Sequence, residues 1–107
     1  MNEWNQDDLS LFMEKGGTGA LYFFTPLCGT CQLAGKMLQV VEKIVELEMG
    51  KMNLNFYPAL AEKFEIESVP CLLLIKNGQV KERIYAFHSV PYLLDKIKGE
   101  LMKKADA

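Results

Sequence analysis

The sequence predicts an α/β fold, one central mixed sheet of four to five strands covered by helices on both faces. Three observations lead there. Segments of helical and of strand periodicity alternate along the chain. Residues 20–25 and 71–75 are almost continuously apolar, the pattern of strands buried on both faces. The pair Asn77-Gly78 is a strong hairpin signal, so residues 80–85 should return antiparallel beside 71–75 and close the alternating order. With 107 residues and no repeat, linker or low-complexity stretch, a single domain over 1–107 is expected.

Each element has a local reason. Asp7 and Asp8 open a short helix whose apolar members Leu9, Phe12 and Met13 fall at i, i+3 and i+4, with acids at its positive end and Gly16-Gly17 as its stop. Gly19 and Pro26 bound the aromatic-rich run 20–25, which should be a central strand. From Gln32 the spacing of Leu33, Met37, Val40, Val41, Ile44 and Leu47 predicts a second helix reaching about Met49 and ending at Gly50, with Gln32, Lys36, Gln39, Lys43 and Glu46 on its other side. Met52-Asn53-Leu54-Asn55-Phe56 alternates with period two and suits a half-exposed edge strand. Pro58 starts a third helix carrying Leu60, Ala61 and Phe64, which Ser68-Val69-Pro70 breaks. Ser89 is a candidate N-cap with Pro91 in the first turn, and Val90, Leu93, Leu94, Ile97 and Leu101 lay a final helix on the sheet. Residues 102–107 read as a polar, fraying end.

The chemistry concentrates in Leu27-Cys28-Gly29-Thr30-Cys31, where an apolar strand stops at Pro26 and a helix begins. A helix start offers unpaired N–H groups and the positive end of the dipole, which favour a thiolate over a thiol. Cys28 is therefore the expected attacking thiol, and Cys31, one turn further along and held within the first turn, the resolving one. A zinc half-site is the competing reading of such a pair, but it needs a second pair of ligands, and only Cys71 and His88 remain, at unsuitable spacing. No metal and no cofactor is expected.

Composition narrows the class further. Half the residues are hydrophobic and 24% charged, as in a globular chain with a core. The net charge of -2 includes no basic stripe, so nucleic acid is not an implied partner. The start, Met1-Asn2-Glu3-Trp4-Asn5-Gln6-Asp7-Asp8, lacks a positive leader region, and no apolar run approaches membrane-spanning length. A cytoplasmic protein with no membrane association is expected. Three cysteines, an odd number, argue against a structural disulfide framework and suit a compartment where a disulfide is transient.

These residues resemble the thioredoxin family over nearly the whole chain. Tyr22-Phe23-Phe24-Thr25-Pro26-Leu27-Cys28-Gly29-Thr30-Cys31 is similar to the family's strand, active-site turn and helix start. Lys51-Met52-Asn53-Leu54-Asn55 is similar to its next strand, and Ser68-Val69-Pro70-Cys71 through Asn77-Gly78 to its cis-proline turn and hairpin. The resemblance implies a thioredoxin fold and a protein disulfide oxidoreductase with Cys28 as nucleophile and Cys31 as resolving thiol. It implies a substrate groove lined by Val69 and Pro70 beside Leu27, Gly29 and Thr30, holding an extended segment by backbone hydrogen bonds. Disulfide-containing proteins or low-molecular-weight disulfides are the implied substrates, with a separate reductase or low-molecular-weight thiol as electron donor, and a monomer is expected. The chain departs from the family pattern at Leu27, where the family has tryptophan, at Thr30 and Lys36, where it has prolines, and at Tyr22, where it has a buried aspartate. Proton transfer from Cys31 then needs another route, such as water. The family's first strand is reduced to a stub over residues 2–4, without which residues 51–56 would be an exposed edge.

Two other readings use the same residues, a metal or iron–sulfur carrier on Cys28 and Cys31 and a non-catalytic interaction module with idle thiols. Metal analysis of anaerobically purified protein separates the first, and thiol titration the second. Trp4 reads as a packing anchor for the first helix, His88 as a solvent-facing turn residue near the active site, and Cys71 as a buried, small hydrophobe.

Overall fold

The computed structural model describes residues 1–102. In chain order the elements are β1 (Asn2–Glu3), α1 (Gln6–Glu14), β2 (Gly19–Phe24), α2 (Gly29–Ile44), β3 (Glu48–Asn53), α3 (Ala59–Lys63), β4 (Cys71–Lys76), β5 (Gln79–Ile84) and α4 (Val90–Ile97), followed by a π-helical turn, Lys98–Met102. Of the tail expected to fray, Met102 belongs to that turn, and residues 103–107 lie outside the described residues.

The strands lie in the order β1-β3-β2-β4-β5. β3 runs parallel to both β1 and β2, and β4 runs antiparallel to β2 and β5. The central strand is β2, as its apolar run requires. Alternation then sorts its side chains. Ala20 and Tyr22 join Leu72, Leu74, Ala34, Leu38, Leu93 and Ile97 beneath α2 and α4. Leu21 and Phe23 join Leu73, Ile75, Leu9, Phe12, Leu60 and Phe64 beneath α1 and α3. Each face of the sheet thus has its own core.

The helix ends follow local capping. Asn5 and Asp8 form a reciprocal capping box, each side chain accepting from the other's backbone N–H at 2.9 Å, so α1 starts just before the two acids. Ser89 caps α4 by accepting from the Tyr92 N–H at 3.2 Å. Asn77 and Gly78 both take positive φ, 53° and 76°, the geometry a two-residue hairpin demands.

Several expectations are corrected. The second helix occupies 29–44, not 32–49, and the following strand occupies 48–53, not 52–56. Gly50 is no helix stop. It sits mid-strand under the Trp4 ring, where a Cβ would collide with the indole. β3 is also an interior strand, because the two-residue β1 pairs along it and Trp4 N–H donates to the Lys51 carbonyl at 2.8 Å. Within α2 the buried stripe is Cys31, Ala34, Leu38 and Val41, whereas Leu33, Val40 and Ile44 are exposed. Two small residues, Cys31 and Ala34, take the inward places at the start of α2, followed by Leu38 and Val41. α2 is continuous through Gly35-Lys36.

Candidate active site

β2 stops at Phe24, the chain turns through Thr25-Pro26-Leu27, and Cys28 takes extended φ and ψ as the N-cap of α2. Helical geometry from Gly29 onward sets Cys31 one turn along, with the two Cα atoms 5.1 Å apart and the sulfurs joined in a disulfide. Cys28 Sγ accepts from the Cys31 backbone N–H at 3.1 Å and lies 3.3 Å from Thr30 Oγ1. One of the orphan donors of the helix start is thus spent on sulfur. Negative charge on that atom after reduction gains from both the N–H and the dipole. The two sulfurs differ in access. Cys28 is half-buried, whereas Cys31 is 4% exposed.

The Val69–Pro70 bond is cis, and the Val69 carbonyl lies 4.0 Å from Cys28 Sγ, within reach of an S–H donor. Leu27 is 99% exposed, and Gly29 and Thr30 are exposed beside it. Thr30 and Pro70 meet on the wall of a cleft of about 320 Å³, whose other walls include Leu33, Met37, Phe87 and His88. His88 is an exposed turn residue with φ of 56° and packs edge-on against Tyr92 at 4.6 Å. Of the residues singled out from the sequence, Thr30 and Val69 lie within 4.0 Å of Cys28 Sγ, and Pro70 and His88 share a cleft wall with Thr30, joined there by Leu33 and Met37, read from the sequence only as helix-core residues.

Tyr22 does not reach a sulfur. Its hydroxyl donates to the Cys31 carbonyl at 2.6 Å, and burial pushes the phenol up to about 12, so it keeps its proton. A second cleft, of about 480 Å³, opens beside Cys31 between α2 and the β2-β3 edge, with Tyr22, Phe24, Lys36 and Lys51 on its walls.

Cys71 lies in the core under α1 and α3, on the sheet face opposite α2. Burial pushes its thiol up to about 11, although a Tyr85 hydrogen bond and the Arg83 charge pull the other way. Burial outweighs both. Among the described residues no three His, Cys, Asp or Glu side chains converge as a metal site.

A model of the thioredoxin family matches residues 9–98. The chain belongs to the thioredoxin family. It is 53% identical over 79 residues to the thioredoxin-like protein YusE of Bacillus subtilis, covering 73% of this chain and 74% of that protein. The thioredoxin of Chlamydia caviae is 33% identical over 63 residues, 58% of this chain and 62% of that one. Among solved structures, a single-substitution mutant of the thioredoxin of Halobacterium salinarum superimposes with a TM-score of 0.85 at 19% identity, over 99% of this chain and 93% of that chain. Reduced Schistosoma mansoni thioredoxin pre-protein gives 0.78 at 20% identity, over 94% and 95%. The fold is therefore the thioredoxin fold, and with its Cys28–Cys31 pair the chain is a thiol–disulfide oxidoreductase. No helix among the described residues is long and apolar enough to cross a membrane.

Proposed function

We propose that this oxidoreductase is a cytoplasmic, monomeric, single-domain reductant of protein or low-molecular-weight disulfides. The observation that carries the reading is the Cys28 sulfur at the N-terminus of α2, half-buried, accepting an N–H and facing the Val69 carbonyl. After reduction, the Cys28 thiolate attacks a substrate disulfide, forms a mixed disulfide and expels one substrate thiolate. The Cys31 thiolate then attacks Cys28 Sγ and expels the second. Two electrons pass to the substrate and the pair closes. A separate reductase or a small thiol returns the electrons.

In this reading an extended substrate segment lies along Val69 and Pro70, its backbone paired with theirs, while Leu27, Gly29 and Thr30 form the opposite rim. The fully exposed Leu27 supplies apolar contact where a protein partner would cover it. Reduction of insulin disulfides with dithiothreitol as donor tests the activity. Catalysis well above dithiothreitol alone is expected, and a rate equal to that background would refute it. Equilibration of the pair against glutathione buffers then separates a reductant from an oxidant, since a reductant pair has a potential below that of glutathione.

A further inference from the structure

The outer side of α2 carries a row of apolar side chains that the fold leaves uncovered. Leu33, Val40 and Ile44 are 57%, 46% and 56% exposed, and Met37 between them is only partly buried. Scattered singly, such residues would need no explanation. These four recur at intervals of four, three and four residues, so they form one stripe, about 16 Å long, down a single side of the helix. The core-facing residues Cys31, Ala34, Leu38 and Val41 lie on one flank of it. Lys36 and Lys43, both exposed and two helical turns apart, lie on the other, and among the described residues neither is ion-paired.

The stripe begins at the active site. Leu33 and Met37 also wall the cleft shared by Thr30 and Pro70, and Thr30 Oγ1 lies 3.3 Å from Cys28 Sγ. A protein whose disulfide reaches Cys28 therefore passes over the first two members of the row and can follow it to Val40 and Ile44. The spacing fits another helix, because a seam of this period accepts the side chains of a helix with the same period. Charge selects whose helix. An antiparallel second copy would set Lys36 of each chain close to Lys43 of the other, a like-charge contact, whereas acidic residues along a partner's helix would meet both lysines.

We propose that the stripe of Leu33, Met37, Val40 and Ile44 docks an amphipathic helix with an acidic flank, carried by the disulfide-bonded protein that Cys28 reduces. The inference rests on the proposed reductant function and narrows its substrate class to proteins in which such a helix adjoins the disulfide. Docking holds the disulfide near Cys28 Sγ and leaves the exchange chemistry to the cysteine pair, so its effect falls on KM and not on kcat.

Two synthetic peptides test it, with dithiothreitol as donor. Each joins one disulfide-bridged ring, through a short flexible linker, to a helix of about five turns with glutamates on one flank. The seam of the first helix is leucine at the matching spacing, and that of the second is serine. The wild-type protein should reduce the leucine peptide with a KM about tenfold lower than that for the serine peptide, at equal kcat. Val40→Gln/Ile44→Gln should bring KM for the leucine peptide up to the serine value and leave the serine peptide as it was. Lys43→Glu should raise KM for the leucine peptide about two- to fivefold, and replacing that peptide's glutamates by lysines should reverse the effect. Equal KM for the two peptides with wild type, or an unchanged KM for the leucine peptide in either folded variant, overturns the proposal. So does a dimer of the reduced protein in sedimentation velocity that Val40→Gln/Ile44→Gln dissolves, because the stripe then belongs to a second copy. If neither peptide is reduced beyond the dithiothreitol background, the reductant reading falls, and this inference with it.

Discussion

Removing one oxygen atom, by Tyr22→Phe, should have opposite effects on stability at neutral and at alkaline pH. At neutral pH the change deletes a buried hydrogen bond to the Cys31 carbonyl, made at 2.6 Å, and leaves the ring packing intact. A loss of about 1 kcal/mol follows. The alkaline side follows from linkage. Burial raises the folded phenol from 10.0 to about 12, so between those values the unfolded chain has released a proton that the folded chain retains. The unfolded state binds fewer protons there, and stability falls as pH rises. This contribution is fully present below pH 10 and lost as pH climbs through 12. Two units correspond to about 2–3 kcal/mol in all, with roughly half of it gone by about pH 11. The wild-type advantage should therefore vanish just below about pH 11, and Tyr22→Phe should be the more stable protein above it. Urea denaturation of both oxidised proteins across the alkaline range measures the difference, in which Cys71 and the lysines cancel. A constant wild-type advantage up to about pH 12 would refute the burial of Tyr22 as described.

Other outcomes follow from the same contacts. In reduced native protein Cys28 should alkylate quickly and Cys71 slowly, since Cys71 is fully buried and its thiol is pushed up to about 11. Cys71→Ala should keep most of the turnover in the insulin assay, and its loss in a folded variant would make Cys71 a functional thiol. Gly50→Ala should destabilise the fold by about 1–3 kcal/mol, because its Cβ would drive into the Trp4 indole that pins β1 to β3. A thermal melt within a degree or so of wild type would show that the indole is free to move aside.

Much of the fold was legible because its signals are local. The Asn77-Gly78 hairpin, the apolar β2 and β4 and the cysteine pair at a helix start all rest on neighbouring residues. The failures share a different cause. Of the stripe Leu33, Met37, Val40, Val41 and Ile44, Val41 is buried and Met37 packs against the core, but Leu33, Val40 and Ile44 are exposed, and a reading by bulk passes over Cys31 and Ala34, which take inward places with Leu38. Val45, Leu47 and Met49 continue an apolar pattern past the helix, and Gly50 has the form of a stop, but that glycine answers to Trp4, a contact from the far end of the chain. The interior position of β3 depends in turn on two residues of β1, too few to carry a periodicity. Around the pair, Cys28, Cys31, Thr30 and the cis Val69–Pro70 turn were readable from motifs. The cleft joining Tyr22, Lys51 and Gly35 beside Cys31 was not, since it is assembled from three separate elements.

The asymmetry of the two sulfurs is tested most directly by trapping. Cys31→Ser and Cys28→Ser variants would each be reduced, mixed with a disulfide-bonded protein such as insulin, quenched with acid and assayed for covalent adducts. Because Cys28 alone is half-exposed at the helix start, Cys31→Ser should accumulate a mixed disulfide on Cys28, and Cys28→Ser should form almost none and reduce nothing. Equal trapping by the two variants would contradict the assignment of Cys28 as the attacking thiol and Cys31 as the resolving one.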